Sequence, residues 1–157
     1  MNLVASDPEL IKVIAALNKR RALPVQDLIK EAILYLNKAV APGRDVSKVA
    51  DRRQVLAAYR TKVVYIKVRL SAERDHLTGI RDDMRDFLQT KYMNFLGSLK
   101  NEQSRRSILA QALSPLRKRI RRMNDALDIV ETILKDYDAR AYCFRDVIDS
   151  LKLGERE

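Results

Sequence analysis

The 157-residue sequence has no Trp, one Cys, one His, four Gly and four Pro. A single Cys leaves no intrachain disulfide and no cysteine-rich metal site. A single His excludes the two- and three-histidine metal centres. An all-β domain needs many turns, and turns draw on Gly, Pro, Asn and Asp, so the scarcity of Gly and Pro speaks against one. The longest purely apolar runs are about five residues, such as Ala32-Ile33-Leu34-Tyr35-Leu36, whereas a membrane-spanning helix needs about 20. No basic stretch followed by a long apolar run opens the chain, so the expectation is a soluble, intracellular protein with no membrane partner. Cys143 fits a reducing compartment.

What is present is helical. Apolar residues make up 46% of the chain, enough for the core of one domain, or of one small domain with a helical extension. Asp7 followed by Pro8 reads as an N-cap and a first helical position, and a helix is expected from there to about Arg21. Pro24 interrupts it. A second helix from about Val25 to Val40 carries Leu28, Ile29, Ala32, Ile33 and Leu36 on one face. Ala41-Pro42-Gly43-Arg44 is the strongest break, and it divides the chain into an N-terminal helical pair, 1–43, and a remainder, 44–157. From Val49 onward Leu56, Tyr59, Val63, Ile66, Leu70, Leu77, Ile80, Met84 and Phe87 follow one alternating three-four spacing. Val63-Val64-Tyr65-Ile66 is β-prone, but the seam continues on both sides, so helix is preferred. Thr78-Gly79 is a candidate break.

The last third holds the same spacing without a miss through Leu109, Leu113, Leu116, Ile120, Met123, Leu127, Val130, Leu134, Tyr137, Ala141, Phe144, Ile148 and Leu151. Six heptads are more than a coiled-coil-like helix requires. Ile108, Ala112, Ile129, Ile133 and Val147 widen the stripe toward a bundle. Ser114-Pro115 marks a kink or a fresh start with Ser114 as N-cap, and Gly154 a stop. The expected fold is all-α: a small N-terminal helical unit plus long coiled-coil-like helices in an oligomeric bundle. Leu113, Leu116, Ile120, Leu127, Val130, Leu134, Phe144 and Ile148 are the expected oligomerisation residues.

The formal net charge of +10 is unevenly distributed. Residues 44–74 hold nine basic and three acidic residues. Residues 105–122 hold seven basic residues and no acidic one, and residues 123–157 hold five basic and nine acidic. With Leu56, Val63 and Leu70 at heptad position a, Arg60, Lys67 and Arg74 fall at e and Lys62 and Arg69 at g. Like charges on both shoulders repel in a self-paired parallel coil. The block therefore expects an acidic helix, with Asp125, Asp128, Glu131, Asp136 and Asp138 on offer, or an anion. In the second block Arg105, Arg106, Arg117, Lys118, Arg119, Arg121 and Arg122 call for a counter-charge. A phosphate backbone is the common one, and an acidic partner surface is the other. Tyr59 and Tyr137 are expected in the core. Tyr65, between the shoulders, is expected to pack rather than to serve as a stacking platform for a base.

No catalytic constellation, metal site or cofactor site can be assembled. His76 beside Asp75 has no nucleophile to complete a dyad and is expected to face solvent. Asp82, Asp83 and Asp86 interleave with Arg81 and Arg85, which favours an ion-pair network over a cation site. Cys143, between Tyr142 and Phe144, is expected to be buried and inert.

The stretch Ile66-Lys67-Val68-Arg69-Leu70, following a basic helix, resembles the short basic motif of phage recombination mediator proteins of the UvsY type. Arg140-Ala141-Tyr142-Cys143-Phe144-Arg145, followed by Val147-Ile148-Asp149, is similar to the end of their long C-terminal helix. The resemblance covers residues 46–152, mostly as pattern. It implies a non-enzymatic accessory protein that forms a ring-like homo-oligomer in the cytoplasm of a bacterial host. Such a protein binds single-stranded DNA and helps to load a RecA-like recombinase onto strands covered by single-stranded DNA binding protein. The resemblance puts Lys67 and Arg69 on the DNA. The shoulder geometry adds Arg60, Lys62 and Arg74, and the second basic block adds Arg117, Lys118 and Arg121. The alternative is a helical structural or scaffolding protein of a virus that assembles through its seams and binds acidic partners. A DNA-packaging protein ranks lower, since no helix-turn-helix pattern is present.

Overall fold

The computed structural model describes residues 3–20, 22–39, 48–99 and 101–154, the last four in backbone only. The fold is all-α. Among the described residues the order is α1 (Pro8–Lys19), α2 (Val25–Lys38), α3 (Val49–Lys91), α4 (Met93–Ser98), α5 (Glu102–Ala112) and α6 (Ser114–Gly154), with no strand. Two compact units share the long helices. One joins α1, α3 from Ala72 onward, α4, α5 and α6 as far as Asn124. The other joins α2, α3 up to Ser71 and α6 from Asp125. The units thus divide the chain differently from the boundary expected at residue 43. α1 and α2 belong to separate units, while the segment 41–44 lies outside the described residues, as do Arg21 and Val40 at the expected helix ends.

Helix α1 starts where the sequence places it. Asp7 is fully buried and accepts from the backbone N–H groups of Glu9 and Leu10, while Pro8 occupies a position whose missing N–H costs nothing. Its other carboxylate oxygen receives Lys91 Nζ at 2.6 Å and the Tyr92 hydroxyl at 2.8 Å. One aspartate therefore caps α1 and ties it to the end of α3. Burial alone would raise its pKa, but the bonds from Lys91, Tyr92 and two backbone N–H groups outweigh that and hold it at about 2.

Helix α3 runs unbroken through Val63-Val64-Tyr65-Ile66 and through Gly79. The break expected at Thr78-Gly79 is absent: continuous burial on either side, at Leu70, Leu77 and Met84, outweighs the cost of one glycine. Leu56, Val63, Ile66, Leu70, Leu77 and Met84 are buried as the seam requires. Each fully buried side chain of this kind stabilises by about 1.5–3 kcal/mol. The seam then moves. Phe87 is 39% exposed and Leu88 is fully buried. A straight α-helix drifts by about 20° per heptad against a strict seven-residue repeat. The five heptads between Val49 and Met84 accumulate about the 100° that separates neighbouring residues, so the next residue takes over the inward position.

Helix α5 is capped by Asn101, which accepts from Gln103 N at 2.8 Å. It ends at Leu113, whose carbonyl already accepts the N–H of Arg117. Leu113, and not Ser114, therefore stands at the start of α6. Ser114 is its first helical residue and Pro115 its second, so the proline marks a fresh start. The helix is described as far as Gly154, and the stop expected there lies at the limit of the described residues. Leu116, Ile120, Met123, Leu127, Val130, Tyr137 and Phe144 are buried. Tyr137 carries a buried hydroxyl without a hydrogen-bond partner among the described residues, and burial pushes its pKa up to about 12.

A second lane on α6, at seven-residue spacing, reads Arg119, Ala126, Ile133, Arg140 and Val147, all buried or half-buried. Its two arginines close other helices. Arg119 donates to the Leu17 carbonyl at 3.2 Å and to the Asn18 side chain, at the end of α1. Arg140 donates to the carbonyls of Leu36 and Ala39, at the end of α2. Arg105 does the same for α4, through the carbonyls of Gly97 and Leu99. Positive charge on open C-terminal carbonyls is favourable twice over, as hydrogen bonding and against the helix dipole.

Candidate nucleic-acid interface

In the unit built from α2, the first part of α3 and the second part of α6, the two basic shoulders have different fates. Arg60 Nε lies 2.9 Å from Asp138 Oδ1, and Lys67 Nζ lies 2.8 Å from Glu131 Oε1. Seven residues forward on α3 correspond to seven residues back on α6, so the helices run antiparallel here and this shoulder faces an acidic helix of the same chain. Of the five acidic residues on offer, Glu131 and Asp138 serve. Asp125, Asp128 and Asp136 are exposed. Both pairs are partly solvated, and exposed ion pairs contribute about 0–1 kcal/mol.

The other shoulder rests on aromatic rings. Lys62 Nζ sits 5.0 Å from the centre of the Tyr35 ring and 5.4 Å from that of Tyr59. Those two rings stack at 5.5 Å and 24°. The Tyr35 hydroxyl donates to Glu31 at 2.5 Å, and this bond raises its pKa. Arg69 lies 5.9 Å over the ring of Tyr65. Tyr65 is 64% exposed and Val68 beside it is 58% exposed. Tyr65 therefore does not pack into the core. It stands one residue outside the inward position taken by Ile66, and the seam has no room for both. The result is an open aromatic face with a guanidinium beside it and Lys67 nearby in sequence.

In the other unit, Arg74 pairs with its neighbour Asp75 at 2.8 Å. The second basic block divides. Arg105 and Arg119 are spent on helix ends, and Arg106 pairs with Glu102 at 2.5 Å. Arg117, Lys118, Arg121 and Arg122 are exposed, and none of them has an ion pair or hydrogen bond within the described residues. They are the uncompensated charges of the block.

Of the expected oligomerisation residues, Leu113, Leu116, Ile120, Leu127, Val130 and Phe144 lie in the chain's own core. Leu134 and Ile148 are half-buried. The regular spacing is used within the chain. Arg81 bonds Asp82 through Nε and Nη2, and Arg85 reaches both Asp82 and Asp86. The hydrogen bond from Arg81 is the largest influence on Asp82 and holds its carboxyl below the usual range. His76 is exposed. Cys143 is exposed as well, against the expectation of a buried thiol, because Phe144 takes the inward position. Among the described residues no group of three or more His, Cys, Asp or Glu is placed to hold a metal ion, and no helix is long and apolar enough to cross a membrane.

The arginine caps and the Tyr65–Arg69 pair were missed in the sequence. For Arg119 and Arg140 a signal existed: both fall on the seven-residue lane through Ala126 and Ile133, where a solvated charge is out of place. For Tyr65 the signal was its offset from the seam. Comparison of the chain with models of protein families, with curated proteins and with solved structures finds no match.

Proposed function

We propose that this chain is a non-enzymatic recombination mediator. It binds single-stranded DNA as a homo-oligomer, arranged as a ring, in the cytoplasm of a bacterial host. There it promotes loading of a RecA-like recombinase onto strands coated with single-stranded DNA binding protein. The observation that carries the reading is the exposed Tyr65–Arg69 pair, formed by Arg69 of the Ile66–Leu70 motif and the tyrosine just before it. An open ring offers a face on which an unpaired base can stack, and stacking on aromatic side chains is the sequence-tolerant way to hold a single strand. The guanidinium of Arg69 supplies a phosphate contact. Lys67 supplies another by exchanging its solvated pair with Glu131 for a phosphate. Lys62 lies on the same side of α3 as Tyr65 and Arg69, Arg60 lies with Lys67 on the opposite shoulder, and Arg117, Lys118 and Arg121 add charge that the chain does not neutralise.

A subunit with few phosphate contacts binds weakly, and a ring repeats the surface and gains by avidity. The oligomer must form through surfaces other than the seam residues already buried. The scaffolding alternative assembles through the same seams, so their burial weighs on both readings alike, and it is the exposed Tyr65–Arg69 pair that favours the mediator.

The test is fluorescence anisotropy with a labelled single-stranded oligonucleotide and its duplex across a salt series, for the wild type and for Lys67→Ala/Arg69→Ala. Salt-dependent preference for the single strand, weakened in the double variant, is expected. Absence of binding at low salt removes nucleic acid from the account. Binding without faster recombinase loading on coated strands, in a reconstituted assay, removes the mediator role.

A further inference from the structure

The unit containing α1, α4 and α5 carries a groove of about 610 Å³ that the motif around Lys67 does not include. Arg81 and Arg85 of α3, Arg106 of α5 and Arg117 of α6 line it, over a floor that includes Leu109 and Leu113. Leu109 and Leu113 are buried, so the floor belongs to the core, and the open part of the groove is the four arginines with Gln89 and Ala110. We infer that this groove is a second nucleic-acid site, which holds the phosphodiester backbone of a single strand. The inference rests on the single-stranded DNA reading above and adds to it a set of residues on three helices.

Three observations converge. The guanidinium is the side chain whose planar fork matches a phosphate in bidentate fashion, and all four cations of the groove are arginines. Arg117 has no internal partner within the described residues, and Lys118, Arg121 and Arg122 continue the uncompensated charge along α6 beyond the groove. A row of cations longer than the groove fits a polymer of evenly spaced charges better than an isolated anion. Finally, the carboxylates nearest the other three arginines do not block an incoming phosphate. Asp82, Asp86 and Glu102 each lie on the same helix as the arginine they pair with, and all three are partly or largely solvated. Solvated pairs of this kind are readily exchanged.

The experiment compares four forms of the full chain on labelled oligo(dT): wild type, Arg106→Gln/Arg117→Gln, Arg106→Lys/Arg117→Lys, and a control with the same loss of charge at exposed sites elsewhere, Lys30→Gln/Lys135→Gln. Circular dichroism melting checks that each form folds. Each phosphate contact contributes about 0.7 to the slope of log K against log salt for a single strand. The glutamine variant is therefore expected to bind roughly tenfold or more weakly at low salt, with a slope shallower by about 1.4. The lysine variant should keep the slope and lose part of the affinity, and the control should keep both. Wild-type binding with an unchanged slope in the glutamine variant overturns the groove and leaves the nucleic-acid reading standing. Failure of the wild type to bind any oligonucleotide overturns the reading itself. Displacement of the labelled oligo(dT) from the wild type by polyglutamate at a lower charge concentration than by unlabelled oligo(dT) would assign the groove to an acidic protein surface, and that too overturns the inference.

Discussion

At the scale of single residues, Asp7 shows how one side chain can serve two elements. Its oxygens cap α1 and receive Lys91 and Tyr92 from the end of α3. Asp7→Ala removes the cap and both long-range bonds, and a loss of about 2 kcal/mol or more is expected in urea unfolding. Asp7→Asn keeps a competent cap and loses the charge, so it should fall between the wild type and Asp7→Ala. The acid limb of the stability curve follows from the direction of the shift. The folded-state pKa is about 2, below the ordinary 3.8, so the contribution is complete above about pH 4 and disappears as pH falls through 2. Melting temperatures between pH 2 and 5 should therefore converge for wild type and Asp7→Asn at the acid end. Parallel curves would show that the carboxylate charge is not what Lys91 and Tyr92 stabilise.

At the scale of elements, α3 is a single helix because its inward residues stay buried past each local weakness. Gly79 is exposed within it, and a Cβ there would meet nothing within 4 Å. Gly79→Ala should thus raise stability by about 1 kcal/mol, since alanine is the better helix former by that amount. A loss of stability instead would mean that the helix bends or opens at this point. α6 is held differently. Its narrow seam supplies burial and its second lane supplies Arg119 and Arg140, each closing the carbonyl end of a short helix. The short helices α1 and α2 are near the length at which isolated helices are marginal, so their ends matter more than those of α3 or α6.

At the scale of the whole chain, the seam that reads as an oligomerisation surface is largely an internal one. Leu127 is buried within a single copy. Leu127→Ala should cost about 2–5 kcal/mol, and the change in melting temperature should be the same at micromolar and at tenfold higher protein concentration. A concentration-dependent loss would return the seam to the interface between copies, because mass action makes the stability of an obligate oligomer depend on concentration. Charge is also divided at this scale. Part of the basic excess closes helices or meets Glu131 and Asp138 inside the chain, whereas Arg117, Lys118, Arg121 and Arg122 stand exposed with no ion pair among the described residues.

The sequence alone determined the helical fold, the start of α1 at Asp7-Pro8 and a discontinuity at Ser114-Pro115. These are decided by spacing, caps and the scarcity of turn residues, all of which act over a few neighbouring positions. It also determined where charge is in excess, which is a matter of counting. Only the tertiary structure decided that α1 and α2 pack in separate units and that Gly79 is carried through. It alone decided that inward positions pass from Phe87 to Leu88, and that Tyr65 and Cys143 face outward. The same holds for which arginines are spent and which are free. The physical reason is shared: a heptad pattern says that a face is buried but not against what, and a charge acquires a role only when a carbonyl, a carboxylate or nothing stands opposite it.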